Sequence, residues 1–136
     1  MRAIAIATGR SYREIYAELA AVAAAETSRG TRRRNHPRTW LRQSTVRRFL
    51  EAHGWTFVTT TTPGGRPRLR LRAVELPAGR ILVALSRHLC AVVDGVLHDT
   101  YDCSRAGTRR VYGYFTPQAG VCWHGRGKVM LGFPPR

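Results

Sequence analysis

Lysine is almost missing from this chain. Of 23 basic residues only Lys128 is lysine, and the rest are arginine. Acidic residues are also scarce, 8 in all, so the formal net charge is +15. No apolar run approaches the ~20 residues that a membrane-spanning helix needs; the least polar stretch, residues 19–25, is mostly alanine. The opening MRAIAIATG is too short, and too polar at its end, for a secretory signal. Cysteine is confined to Cys90, Cys103 and Cys122, an odd number with no CxxC spacing. That excludes a dense disulfide scaffold and suits a reducing compartment, so the expected location is the cytoplasm, with no membrane partner. Gathering Cys103, Cys122, His98 and His124 around zinc would need longer gaps than such sites favour. No metal is therefore expected, and no cofactor, since Gly64-Gly65 and Gly107 lack the GxxxxGK[ST] context of a phosphate loop.

A chain of 136 residues, 43% of them hydrophobic, makes one folded domain with a modest core. Two accounts of the arginine excess stand side by side. One is a polyanionic partner, with nucleic acid held without base specificity. The other is codon bias, writing Arg wherever a surface cation is tolerated. The Arg68, Arg70, Arg72 stripe reads as a solvated face and, with Arg32 to Arg34, Arg47 and Arg48, as the best set for phosphate contact. Trp40, Trp55 and Trp123 read as core or cover residues.

Helical signals come first. Residues 2–8 form a short apolar helix or strand that ends at Gly9. Ser11-x-x-Glu14 is a capping box opening a helix from Tyr12 to about Glu26, with Ile15, Leu19 and Val22 on one face. Gly30 and residues 32–37 make a basic loop with nothing to anchor it. A further helix runs from Gln43 or Ser44 to His53 and stops at Gly54. From Trp55 the period changes to strands: residues 55–59, an alternating segment with Leu69, Leu71 and Ala73 inward, residues 81–85, 89–93, 96–101 and 110–115. Pro63-Gly64-Gly65 and Pro77-Ala78-Gly79 are turns. Helices followed by antiparallel strands define an α+β class. The domain covers residues 1–116, and residues 117–136 form a Gly/Pro-rich, poorly ordered tail with a short strand near residues 128–131.

Chemistry concentrates in residues 86–104. Asp94-Gly95 between apolar runs is a strong hairpin signal. With those two residues as the loop, Val93 faces Val96 and His88 faces Tyr101. Asp99 then shares a face with His88, and Asp102 lies just past the pairing; a bulge would exchange them. Either carboxylate could fix the imidazole tautomer and leave the other nitrogen as a base. The plainer account is that Asp94 makes the turn, Asp99 and Asp102 cap strand ends, and His88 is an edge histidine. Ser104, His98 and Asp99 make a poor hydrolase set, because no GxSxG elbow accompanies them.

The segment HLCAVVDGVLHDTYDCS resembles the His-to-Asp hairpin of papain-like cysteine peptidases, above all the bacteriocin-processing and transglutaminase-like branches. Together with RAIAIATG it is similar to small bacterial and phage proteins, over roughly residues 2–115. The resemblance implies a papain-like fold and a peptide or amide substrate. It makes His88 the catalytic base and Asp102 the orienting carboxylate, with Cys103 where proline is usual. It also implies a thiol nucleophile at the start of the leading helix, where Met1 stands here. Three accounts remain open: a start assigned too late, so that a cysteine precedes Met1; a non-catalytic relative; or an accidental likeness.

Overall fold

The computed structural model describes residues 1–27, 35–38 and 41–118, together with the backbone of residues 122–124 and 128–130. Among the described residues three helices precede an antiparallel sheet, an α+β arrangement. No described helix is long and apolar enough to cross a membrane.

Helix α1 is Arg2–Thr8 and α2 is Tyr12–Thr27. Gly9 ends α1 in the left-handed region at φ 68°, where glycine carries no Cβ penalty. The Ser11 hydroxyl accepts the Glu14 N–H at 3.2 Å, which caps α2 as its motif predicts. Ile15, Leu19 and Ala23 form the buried stripe of α2. Helix α3, Gln43–Ala52, buries Thr45, Phe49 and Leu50. The basic loop departs from expectation at its described end. Asn35 is buried, and its amide donates to Glu26 and Thr45 at 3.0 Å each, tying α2 to α3. Residues 32–34 and Trp40 lie outside the described residues.

Strands β1 (Trp55–Thr59), β3 (Arg80–Leu85), β4 (His88–Val93), β5 (Val96–His98) and β7 (Gly113–Pro117) form one sheet in the order β1-β7-β3-β4-β5. Strands β2 (Leu69–Arg70) and β6 (Arg110–Val111) form a separate ribbon. The expected single strand over residues 110–115 is therefore two. Tyr112 joins them, donating its N–H to Ala84 O at 3.0 Å while its carbonyl accepts from Thr60. The alternating arginine segment is also shorter than its pattern. Glu75 takes the Arg70 N–H on its carboxylate at 2.6 Å, and the chain closes into a 3-10 turn at Ala73–Glu75 that leaves Ala73 exposed. Of the expected tail, Pro117 still belongs to β7, Gln118 donates its N–H to Gly54 O at 2.8 Å, and β8 (Cys122–His124) pairs with β9 (Lys128–Met130); its other residues, and the Trp123 side chain, lie outside the described residues.

Each sheet face has its own core. Leu82, cross-strand from Ala91 and Phe115, packs with Ile4, Ile15, Leu19, Phe49, Leu50 and Trp55 on the helix side. Ile81, Val83, Leu85, Cys90 and Val92 point the other way, onto Leu71, Val111 and Cys103. Successive residues of a strand alternate between faces, so the sequence parity of β3 and β4 divides the molecule.

Candidate functional site

The β4–β5 hairpin is the one the Asp94-Gly95 signal predicts. Val93 pairs with Val96, and Asp94 and Gly95 sit at φ 48° and 78°, the positive pair that a tight I′-type turn requires. Asp94 is locked by a reciprocal contact with the neighbouring turn: its N–H donates to Gly79 O, and its carboxylate accepts the Gly79 N–H, both at 2.9 Å. At the opposite end of β4, Ser86 and Arg87 connect Leu85 to His88, which are cross-strand partners. His88 therefore lies on the face of Leu85, Cys90 and Val92, away from the helices.

Strand β5 ends at His98, earlier than expected, and the chain leaves the ladder at Asp99. The His88 ring nevertheless stacks near Tyr101, with centroids 5.6 Å apart. His88 Nε2 contacts the Asp99 carboxylate through Oδ2, while Oδ1 accepts the Thr100 N–H at 2.7 Å. An Nε2–H donated to Asp99 leaves Nδ1 as the basic nitrogen. Burial raises the Asp99 pKa, but hydrogen bonds from His88, Thr100 and Cys103 outweigh it and the net direction is down. Asp99 is thus held as a carboxylate.

Asp102 does not take the orienting role that the resemblance assigns to it. It is exposed, and its carboxylate accepts the Ser104 N–H at 2.9 Å. Hydrogen bonds from the Ser104 hydroxyl and N–H hold it below the usual carboxylate range. The physical reason is the two-residue turn: it puts Asp99 on the His88 face, and the chain has already bent into the Cys103–Arg109 loop when it reaches Asp102. Of the two open alternatives, the structure brings Asp99 to the imidazole.

Cysteine enters the site from behind. Cys103 is 1% exposed; its sulfur lies within 4.8 Å of an Asp99 carboxylate oxygen and packs in the same buried cluster as Cys90. Burial first, then the Asp99 carboxylate, pushes the Cys103 thiol up; burial and Cys103 push Cys90 up further. Neither sulfur is activated as a thiolate nucleophile. Arg109 braces this corner, donating to Ser86 O at 2.9 Å and to Cys103 O at 3.4 Å. The grouping of His88, Asp99 and Cys103 does not follow from their spacing. Its signal is parity, since Cys90 follows His88 by two residues and Asp99 falls opposite Cys90 when the hairpin register is extended. Of the four residues weighed for zinc from the sequence, Cys103 is buried and His98 is exposed on β5; the Cys122 and His124 side chains lie outside the described residues.

Helix α1 lies over β3 and β4 on the face opposite His88. Arg80, at the far end of β3, donates to Ile6 O at 3.0 Å and so draws the C-terminal half of α1 toward the Asp94 turn. Met1 packs into the helix-side core, while the His88 ring belongs to the opposite face.

Comparison with family models, curated proteins and solved structures finds no match to this chain.

Proposed function

We propose that the chain is a relative of papain-like thiol hydrolases in which His88 is the base and Asp99, rather than Asp102, orients it. The observation that carries this reading is the Nε2 contact with Asp99, which leaves Nδ1 to exchange a proton with a thiol. A cysteine preceding Met1 would supply that thiol at the head of α1. It would lose its proton to Nδ1 and attack a peptide or amide carbonyl. His88 would return the proton to the leaving amine, and water would then release the acyl group. Met1 and His88 occupy opposite faces of the sheet, so this reading requires the residues before Met1 to carry the thiol across to the His88 face. The 136 residues by themselves place no cysteine at a helix start, so this chain alone is expected to show no turnover.

The test adds the residues encoded in frame before Met1 and follows alkylation by iodoacetamide with mass spectrometry. Rapid labelling of an upstream cysteine at neutral pH, slowed by His88→Ala and by Asp99→Ala but not by Asp102→Ala, is the expected result. A reading frame without such a cysteine, or labelling indifferent to His88, removes the hydrolase reading.

One observation favours a second reading, in which the surface holds a polyanion such as DNA or RNA. On the β2–β6 ribbon Arg70 lies directly opposite Arg110, and both are exposed. Like charges directly across a ribbon are unfavourable, and a bound phosphate relieves them. The acidic residue beside the ribbon, Glu75, takes the Arg70 backbone N–H and lies 3.9 Å from the Arg72 guanidinium, while Glu18, Glu26 and Glu51 pair with Arg10, Arg48 and Arg47. Binding to a labelled oligonucleotide is then expected to weaken steeply with salt. Replacing Arg70 and Arg110 by alanine is expected to flatten that slope by roughly one for each arginine that reaches a phosphate. Salt-independent binding dismisses it.

A further inference from the structure

A ring nitrogen of His88, an Asp99 carboxylate oxygen and the Cys103 sulfur all lie within 4.8 Å of one another. They come from three separate places: the first residue of β4, the residue after β5, and the loop beyond. Nitrogen, oxygen and sulfur donors together form a borderline-soft set that matches zinc and not magnesium or calcium, which take several oxygen ligands. We propose that His88, Asp99 and Cys103 bind a single zinc-type divalent ion, with a fourth position open to solvent.

Three features of the surroundings support this assignment. The donors are already aimed at one point, so little chain ordering accompanies binding. The positions of two are set by outside contacts: the Thr100 N–H holds the second Asp99 oxygen at 2.7 Å, and Arg109 pins the Cys103 and Ser86 carbonyls, which flank the loop and the turn leading to His88. Access is graded as well. The His88 and Asp99 side chains are 24% and 12% exposed, whereas Cys103 lies beneath them, so an ion entering from solvent meets the imidazole and carboxylate before the sulfur. On binding, the Cys103 proton passes to solvent, and the His88–Asp99 hydrogen bond gives way to two metal bonds. Cys90, behind Cys103, is left protonated against Val83 O.

The assignment goes beyond the hydrolase reading and does not depend on it, since all three donors are within the 136 residues. The two also exclude each other in one state, because a metal on His88 and Asp99 removes the hydrogen bond that orients the base. Labelling of an upstream thiol is therefore to be run in chelator, and metal binding on the chain as it stands.

The experiment is a titration of the reduced protein with cobalt(II), in a Cys122→Ser background so that only Cys90 and Cys103 remain. The expected result is one cobalt per chain, with a thiolate-to-cobalt charge-transfer band and visible tetrahedral bands that zinc bleaches. Cys103→Ser should abolish the charge-transfer band, and His88→Gln and Asp99→Asn should each weaken binding at least about tenfold. Cys90→Ser and Asp102→Asn should leave both unchanged. His88→Gln alters a partly exposed side chain and keeps the result interpretable if Cys103→Ser proves unstable; circular dichroism and thermal melting check each variant. Absence of the cobalt bands overturns the proposal, as does a band that survives Cys103→Ser or disappears in Cys90→Ser. Oxidation to a Cys90–Cys103 disulfide in place of metal uptake, read as a loss of two hydrogens by mass, also overturns it.

Discussion

Along β3, Leu82 turns to the helices while Ile81, Val83 and Leu85 turn to the loops and the short ribbon. The helix side is filled by large apolar groups from its helices; Thr8 there donates to Ile4 O at 2.6 Å and Thr45 is tied to Asn35 and Glu26, while the indole N–H of Trp55 is buried without a hydrogen-bond partner among the described residues. The other side is roofed by short, irregular segments and carries two thiols, an imidazole and a carboxylate at one corner. A helix can cover a sheet without unmet backbone groups, whereas a loop must bring its own hydrogen bonds, here from Asp102, Ser104 and Arg109. The same strands thus have one face that supplies cohesion and one that holds a partly exposed imidazole and carboxylate over two buried thiols. Disturbing the first should lower stability and spare the site; disturbing the second should do the reverse.

The largest effect is expected from Leu82→Ala. Leu82 is fully buried between Ala91 and Phe115 at the centre of the sheet, so the cavity should cost about 3 kcal/mol in urea unfolding. Cobalt affinity of the folded fraction should hardly move. A loss below about 1 kcal/mol would mean that the helix side collapses readily and is no stiffer than the loop side. Next comes Gly113→Ala. A Cβ there would lie 2.3 Å from Phe57 Cζ and 2.8 Å from Val58 O. The ring can move but the carbonyl is backbone, so about 1–3 kcal/mol should be lost in thermal unfolding. Adding Phe57→Leu should recover part of that loss, because the two sites share the same space. On the opposite face, Asp99→Asn keeps an acceptor for His88 and should cost only about 1 kcal/mol, while weakening cobalt at least about tenfold. A stability loss as large as that of Leu82→Ala would erase the division between the faces.

How legible all this is in the sequence depends on whether a feature is local. The capping box at Ser11, the stops at Gly9 and Gly54 and the Asp94-Gly95 turn rest on residue chemistry within a few positions, and the structure has them where the sequence puts them. The ribbon is shorter than its pattern because the arginine alternation continues past Arg70, while the chain is diverted by Glu75 taking the Arg70 amide. Asn35 escapes notice for a related reason: a polar residue in a basic run gives no sign that Glu26 and Thr45 will meet it. At the site, the hairpin register is enough to leave Asp99 in contention. Preference for Asp102 comes from the resemblance, and the bend after His98 decides against it. Cys103 has no place that spacing could assign, since its role depends on how the 102–109 loop folds back under Asp99.

The smallest predicted effect concerns the ion pairs at the edge of the helix side. Arg10 bonds Glu18, and His53 Nε2 lies 3.0 Å from the same carboxylate, linking α2 to α3. The Arg10 hydrogen bond, ahead of the opposing burial, holds the Glu18 pKa below its ordinary value. A carboxylate with a depressed folded pKa adds stability above its unfolded pKa and loses it as pH falls through the folded one. Arg10→Ala should therefore cost about 0.5–1 kcal/mol near neutral pH, the upper end for a partly exposed pair. The gap to the unaltered protein should narrow as pH drops below the ordinary glutamate range, at about pH 4, and also as salt rises. Urea unfolding of both proteins at neutral and acidic pH measures it. Arg10 is only 12% exposed in its side chain, so its stem also covers apolar surface. A gap that stays constant with pH and salt would assign the whole effect to that stem, and would make the helix side cohesive through packing alone, which sharpens its contrast with a face organised by charge and hydrogen bonds.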